Sequence, residues 1–220
     1  MQIRPRSFST VLAALLTCVL ISTYSAQAAT TPALAAFEEA WSHISDYSAT
    51  VKVHEVQGSA TQDRTYEFWY KKPDKAKTLI SAGDGRGSGG VWSGGDTVSG
   101  HQGGFLSHIH LKVGIHDPRA VSLRGYTIPQ GLLMNQVAQY RDIKGTLVQH
   151  AGPADTEVVE LKPTIVATTG TEAGVTKMEM FFNKTTHMPI RQLRYAGDHI
   201  VSDESWTNLK TNAGLRDGDF

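Results

Sequence analysis

The chain has 220 residues, with 21 Lys plus Arg against 21 Asp plus Glu, so its formal net charge is zero and no basic stripe marks it for nucleic acid. Its single cysteine, Cys18, excludes an internal disulfide framework. Length and 40% hydrophobic residues suffice for one buried core.

The first 28 residues have the layout of a secretory signal peptide. Arg4 and Arg6 precede an apolar run over 11–21, and Ser25-Ala26-Gln27-Ala28 supplies the small-x-small pattern of a cleavage site. The run is too short for a membrane-spanning helix of about 20 residues. Thr17 is a poor residue before a lipidated cysteine, and the apolar run continues past Cys18. The expectation is cleavage after Ala28, export to the periplasm, and a thiol-free single domain over 29–220.

A helix is predicted over 33–45, where Leu34, Phe37, Trp41 and Ile44 share one face. The period then changes to two. Tyr47, Ala49, Val51 and Val53 alternate with Ser48, Thr50, Lys52 and His54, as in a strand with one dry face. Tyr66, Phe68 and Tyr70 repeat the pattern up to Lys72-Pro73, where proline cannot donate to a ladder. Short strands are predicted over 77–82 and 90–92, and a helix over 131–140 inside an otherwise irregular stretch, 105–143. Five further strands are predicted over 146–150, 157–162, 175–182, 189–195 and 199–209, divided by Gly, Pro and Asn turns. Strands in blocks, not alternating with helices, predict an antiparallel α+β domain.

Residues 83–104 hold ten glycines in twenty-two positions. No helix pattern follows them, and the lysine and hydroxyl of a P-loop are missing, so no helix N-terminus is available for a phosphate. Turns and a mobile loop are predicted instead, with a hairpin over Gly94-Gly95 between Val91-Trp92 and Thr97-Val98. His108 and His110 would point to one side of a strand, but no third ligand at a convincing spacing accompanies them. There is no G-x-S-x-G elbow, and Asp84, Asp203 and Glu204 stand as isolated carboxylates. No cofactor, metal or catalytic residue is assigned.

The order of elements resembles the periplasmic lipoprotein carriers of the LolA/LolB-like family. The likeness lies in "YSATVKVHEVQG", the aromatic strand Tyr66-Glu67-Phe68-Trp69-Tyr70, the step Lys72-Pro73-Asp74-Lys75, the turn Val91-Trp92-Ser93-Gly94-Gly95, and a closing meander from Phe181 to Asn212. The resemblance implies a strongly curved, incompletely closed antiparallel sheet, or half-barrel, with helices over its concave side. It implies a monomer whose ligand, an acyl chain or a lipoprotein, lies between sheet and helices. The dry faces then nominate Val51, Val53, Phe68, Tyr70, Met178, Met180 and Phe182, with Phe37 and Trp41 opposite on the helix. Two features depart from these carriers. Residues 103–124 form a longer insert, and Lys52 and Arg64 are the nearest counterparts of the arginine that the carriers place on an early strand. Two other readings stay open: an envelope sensor of the same fold that binds a protein partner, and a metal-dependent hydrolase using His108 and His110.

Overall fold

The computed structural model describes residues 30–220; the signal-peptide reading and the cleavage after Ala28 lie outside the described residues. Helix α1 (Pro32–Ser42) begins where the sequence supplies two start devices. Thr31 accepts a hydrogen bond from the Leu34 amide, and Pro32 occupies the first turn, where its missing N–H costs nothing. The helix ends three residues before its predicted end at 45. Tertiary partners take over there: Ser45 N–H donates to Asn212 Oδ1, and Ser45 C=O accepts from the Lys72 amide.

Eleven strands follow. They are β1 (Asp46–Gln57), β2 (Ala60–Lys71), β3 (Lys75–Gly83), β4 (Gly89–Ser93), β5 (Thr97–His101) and β6 (His110–Gly114), then β7 (Gly145–Ala151), β8 (Thr156–Pro163), β9 (Lys177–Asn183), β10 (Pro189–Ala196) and β11 (His199–Thr211). Helix α2 (Leu133–Asp142) lies between β6 and β7. All form one antiparallel sheet in the order β6-β5-β4-β3-β2-β1-β11-β10-β9-β8-β7. Two meanders are thus joined at the centre by β1 against β11, with Val51 opposite Trp206 and Val53 opposite Glu204. The sheet is curved and not closed: its two edges, β6 and β7, are consecutive in sequence.

That topology forces residues 115–144 to cross from one edge to the other. This crossover, with α2 near its end, runs over the concave side. The insert expected to be irregular and helical therefore contains an edge strand, β6, whose Leu111 and Val113 alternate with His110 and Lys112.

The two helices fill only part of the concavity. α1 contributes Leu34, Phe37 and Trp41, and α2 contributes Leu133, Val137 and Tyr140, to a buried cluster with Tyr47, Tyr70, Met178, Met180 and Phe182. Aromatic rings run through it: Phe37 stacks on Trp41 at 5.7 Å, Trp41 on Tyr70 at 6.0 Å and Tyr47 on Phe68 at 5.9 Å. Such pairs add about 0.5–1.5 kcal/mol each beyond area burial. The Gly94-Gly95 turn has φ of +79° and +68°, a backbone that glycine adopts without a Cβ clash, and it joins β4 to β5 with Trp92 opposite Val98.

Candidate functional site

Beyond the packed helices, the concave side holds a cavity of about 720 Å³. Ligand sites typically occupy about 300–1,000 Å³. Its floor follows from the pleat. Inward positions on β1 give Val51, Val53 and Glu55; those on β2 give Arg64, Tyr66 and Phe68; β3 gives Thr78 and Ile80. The far wall is Val98 on β5 with Leu111 and Val113 on β6, and the crossover roofs the space with Val121, Tyr126 and Ile128.

Glycines line part of this room. One cross-strand row reads Thr78, Gly90, Gly100, Leu111, and all four residues line the cavity. A Cβ on Gly90 would sit 3.1 Å from Val98 Cγ1 and 3.2 Å from Ile128 Cδ1, and one on Gly100 would sit 2.6 Å from the Gly89 carbonyl oxygen. The glycine-rich stretch therefore divides in two. Gly83, Gly85 and Gly87, all at positive φ, make the turn expected between strands, whereas Gly90 and Gly100 are strand residues: a side chain on Gly90 would crowd Val98 and Ile128 at the cavity, and one on Gly100 would collide with the β4 backbone.

The nine nominated residues separate as sharply. Val51, Val53 and Phe68 line the cavity. Phe37, Trp41, Tyr70, Met178, Met180 and Phe182 face the same concave side but are packed in the core under α1 and α2, and they do not line it. Of the two arginine counterparts, Arg64 reaches the cavity and Lys52 is exposed on the other face of β1.

Polar groups gather at one end of the floor. Glu55 is 2% exposed; its Oε1 accepts from Ser122 Oγ at 2.9 Å and its Oε2 from the Arg124 amide at 3.0 Å. The Arg124 guanidinium donates to the carbonyls of Val56, Thr171 and Ala173, so the crossover is tied at this point. Arg64 donates to the Asp84 carbonyl and to the Tyr66 hydroxyl. Arg194, buried on β10, is held by Glu172, Gln136 and Gln139 and lies over the Tyr126 ring.

Glu204 differs from all of these. It is 8% exposed, borders the cavity from β11, and has no hydrogen-bond partner among the described residues. Burial pushes its carboxyl up to about 7; Arg194 opposes this and Glu55 adds to it. In the sequence Glu204 stands as an isolated carboxylate, although its i+2 spacing from Trp206 is a signal for an inward position.

His108 precedes β6 and is not on it, so it shares no strand face with His110. His110 instead pairs with His101 on β5, ring centroids 5.2 Å apart. Among the described residues, no group of three or more His, Cys, Asp or Glu is placed to hold a metal ion.

No protein-family model matches the chain, and no curated protein matches its sequence. Solved structures do. The lipoprotein LppX of Mycobacterium tuberculosis is similar at 12% identity and a TM-score of 0.50, over 84% of this chain and 97% of that one. A DUF1329 family protein from Desulfovibrio piger matches at 15% identity and a TM-score of 0.46, covering 87% and 98%. A LolA superfamily protein from Nitrosomonas europaea matches at 13% and 0.40, covering 87% and 98%. With its open, curved eleven-stranded sheet and two concave helices, the chain shares the fold of LppX.

Proposed function

We propose that this chain is an exported periplasmic carrier that holds a hydrophobic ligand with a long acyl-type chain between its sheet and the crossover, and that it performs no catalysis. The observation that carries this reading is the cavity of about 720 Å³, walled by Val51, Val53, Phe68, Ile80, Val98 and Val113. The signal-peptide layout of residues 1–28 supports export. Moving a chain of about 16 carbons out of water yields roughly 0.8 kcal/mol per methylene, or about 12 kcal/mol gross. Association costs of about 4–15 kcal/mol offset much of it. The net is modest and reversible, as release of a cargo requires.

The test is native mass spectrometry of protein exported by its own host, followed by titration of a fluorescent acyl probe into the emptied protein. Two adjacent substitutions on β6 serve as a pair. Val113→Glu sets a carboxylate into the cavity wall, whereas Lys112→Glu changes an exposed side chain on the opposite face. Binding should fall at least tenfold in the first and hold in the second, because an unpaired charge in an apolar site costs several kcal/mol. A wild type that binds no acyl probe, or two variants that bind alike, would overturn the carrier reading.

A further inference from the structure

One carboxyl bordering the cavity, Glu204, has no hydrogen-bond donor among the described residues. Glu204 lies between Val53 on β1 and Gln192 on β10 in the register. None of the polar groups around it forms a hydrogen bond with it among the described residues. Glu55 is occupied by Ser122 and the Arg124 amide. On β2, Arg64 is occupied by the Asp84 carbonyl and the Tyr66 hydroxyl, which spends its acceptor on that guanidinium. On β10, the Gln192 amide nitrogen reaches the Tyr140 hydroxyl at 3.5 Å, and its Oε1, an acceptor, has no partner among the described residues. Gln136 on α2 accepts from Arg194. The Glu204 oxygens are not sealed in the protein interior; the residue lines the cavity, where a donor from outside can reach its carboxyl.

We propose that Glu204 anchors the head of the ligand, and that the cargo is an amphiphile with a primary amine on an apolar body. The amine would donate to the Glu204 carboxylate and lie in the field of Glu55, while the chain extends toward Val98, Leu111 and Val113. A fatty acid would instead bring a third carboxyl toward these two. The cations near these carboxyls are Arg64, already engaged, Arg194, held by Glu172, Gln136 and Gln139, and two at the rim: Arg86, and Arg119, which is in a two-point pair with Asp117. This assignment rests on the carrier reading and selects among its ligands.

Three probes of equal chain length separate the two levels: dodecylamine, dodecanol and dodecanoate, each displacing a neutral fluorescent apolar dye from the full mature chain. At about pH 8.5 the amine stays protonated and Glu204 is ionised, so dodecylamine should bind about tenfold or more tightly than either other probe. At about pH 5.5, with Glu204 neutral, that advantage should shrink to a few-fold. Glu204→Gln, close in shape, should remove the advantage of dodecylamine over dodecanol, and a thermal melt confirms that the variant folds. Dodecanoate or dodecanol binding as tightly as dodecylamine at the higher pH, or Glu204→Gln retaining the preference, overturns the amine assignment and leaves the carrier reading standing. Failure of the dye and all three probes to bind overturns both.

Discussion

Ser122 on the crossover donates a 2.9 Å hydrogen bond to Glu55 on β1, sixty-seven residues earlier in the chain. Together with the Arg124 amide on the other carboxylate oxygen, it fixes the roof of the cavity to its floor. Glu55 is 2% exposed, so neither bond competes with water. Hydrogen bonds to a charged group contribute about 1.5–3 kcal/mol each.

Glu55→Ala should therefore cost about 2–4 kcal/mol in urea unfolding, since it leaves a hydroxyl and an amide unpaired where water is scarce. Glu55→Gln, which retains one acceptor, should cost less. Amide exchange over 118–128 should accelerate in the alanine variant, while the helices and β8–β10 stay protected. Unchanged exchange in the crossover would show that Arg124 alone holds it.

Glu204 sets a pH dependence of known sign. Its carboxyl stands at about 7 in the folded chain against a reference of 4.5, so between those values the folded state binds the extra proton. Its contribution is complete below pH 4.5 and is lost as pH rises through 7. Glu55 and Tyr47 on β1, Arg194 on β10 and Tyr66 and Arg64 on β2 are the titratable or charged groups around it. At about 1.4 kcal/mol per unit the loss is roughly 3 kcal/mol. Unfolding free energy measured for wild type and Glu204→Gln at both ends of this window should show a fall in the first that is absent in the second. Groups shared by both chains, such as the depressed Asp117 and Asp217, cancel in the difference.

The glycine row gives a test of space alone. Gly90→Leu must fit a side chain where a Cβ already meets Val98 and Ile128 at 3.1–3.2 Å, so it should displace them into the cavity. Overpacking of this kind costs about 1–3 kcal/mol of stability. Acyl-probe affinity should drop about tenfold. Gly95→Ala, strained at φ +68° but facing open space in the β4–β5 turn, should lower stability without changing affinity. Calorimetry with both variants separates the two effects.

How much of this was legible in the residues differs by level. Alternation along Tyr47 to Val53 and Tyr66 to Tyr70 located strands and their dry faces, because the pleat imposes a period of two whatever the partners. It could not say which stretch of a dry face meets a helix and which meets empty space. That depends on the crossover from β6 to β7, and on how far α1 and α2 reach over β8–β10. Gly90 and Gly100 were equally opaque: a glycine in a turn and a glycine on a strand beside a cavity look alike until the register aligns them with Thr78 and Leu111. Glu204 carried a signal in its spacing from Trp206, but a charged residue on an apolar face is ordinarily assigned to the exposed side.

Met180 and Val113 put that distinction between core and lining to a direct test. Met180 has no exposed surface and lies in the cluster under the helices, opposite Val159 on β8 and Gln192 on β10. Met180→Ala should leave a hole that its neighbours only partly close, costing about 2–5 kcal/mol. Because Met180 does not line the cavity, acyl-probe affinity measured well below the melting temperature should stay within about twofold of wild type. Val113→Ala inverts the pattern. Val113 is half-buried on an edge strand and faces the cavity, so its truncation should cost little stability while removing apolar contact from the bound chain. If Met180→Ala weakens binding as much as it weakens the fold, the ligand reaches beneath the helices, and the empty space seen beside them is only part of the site.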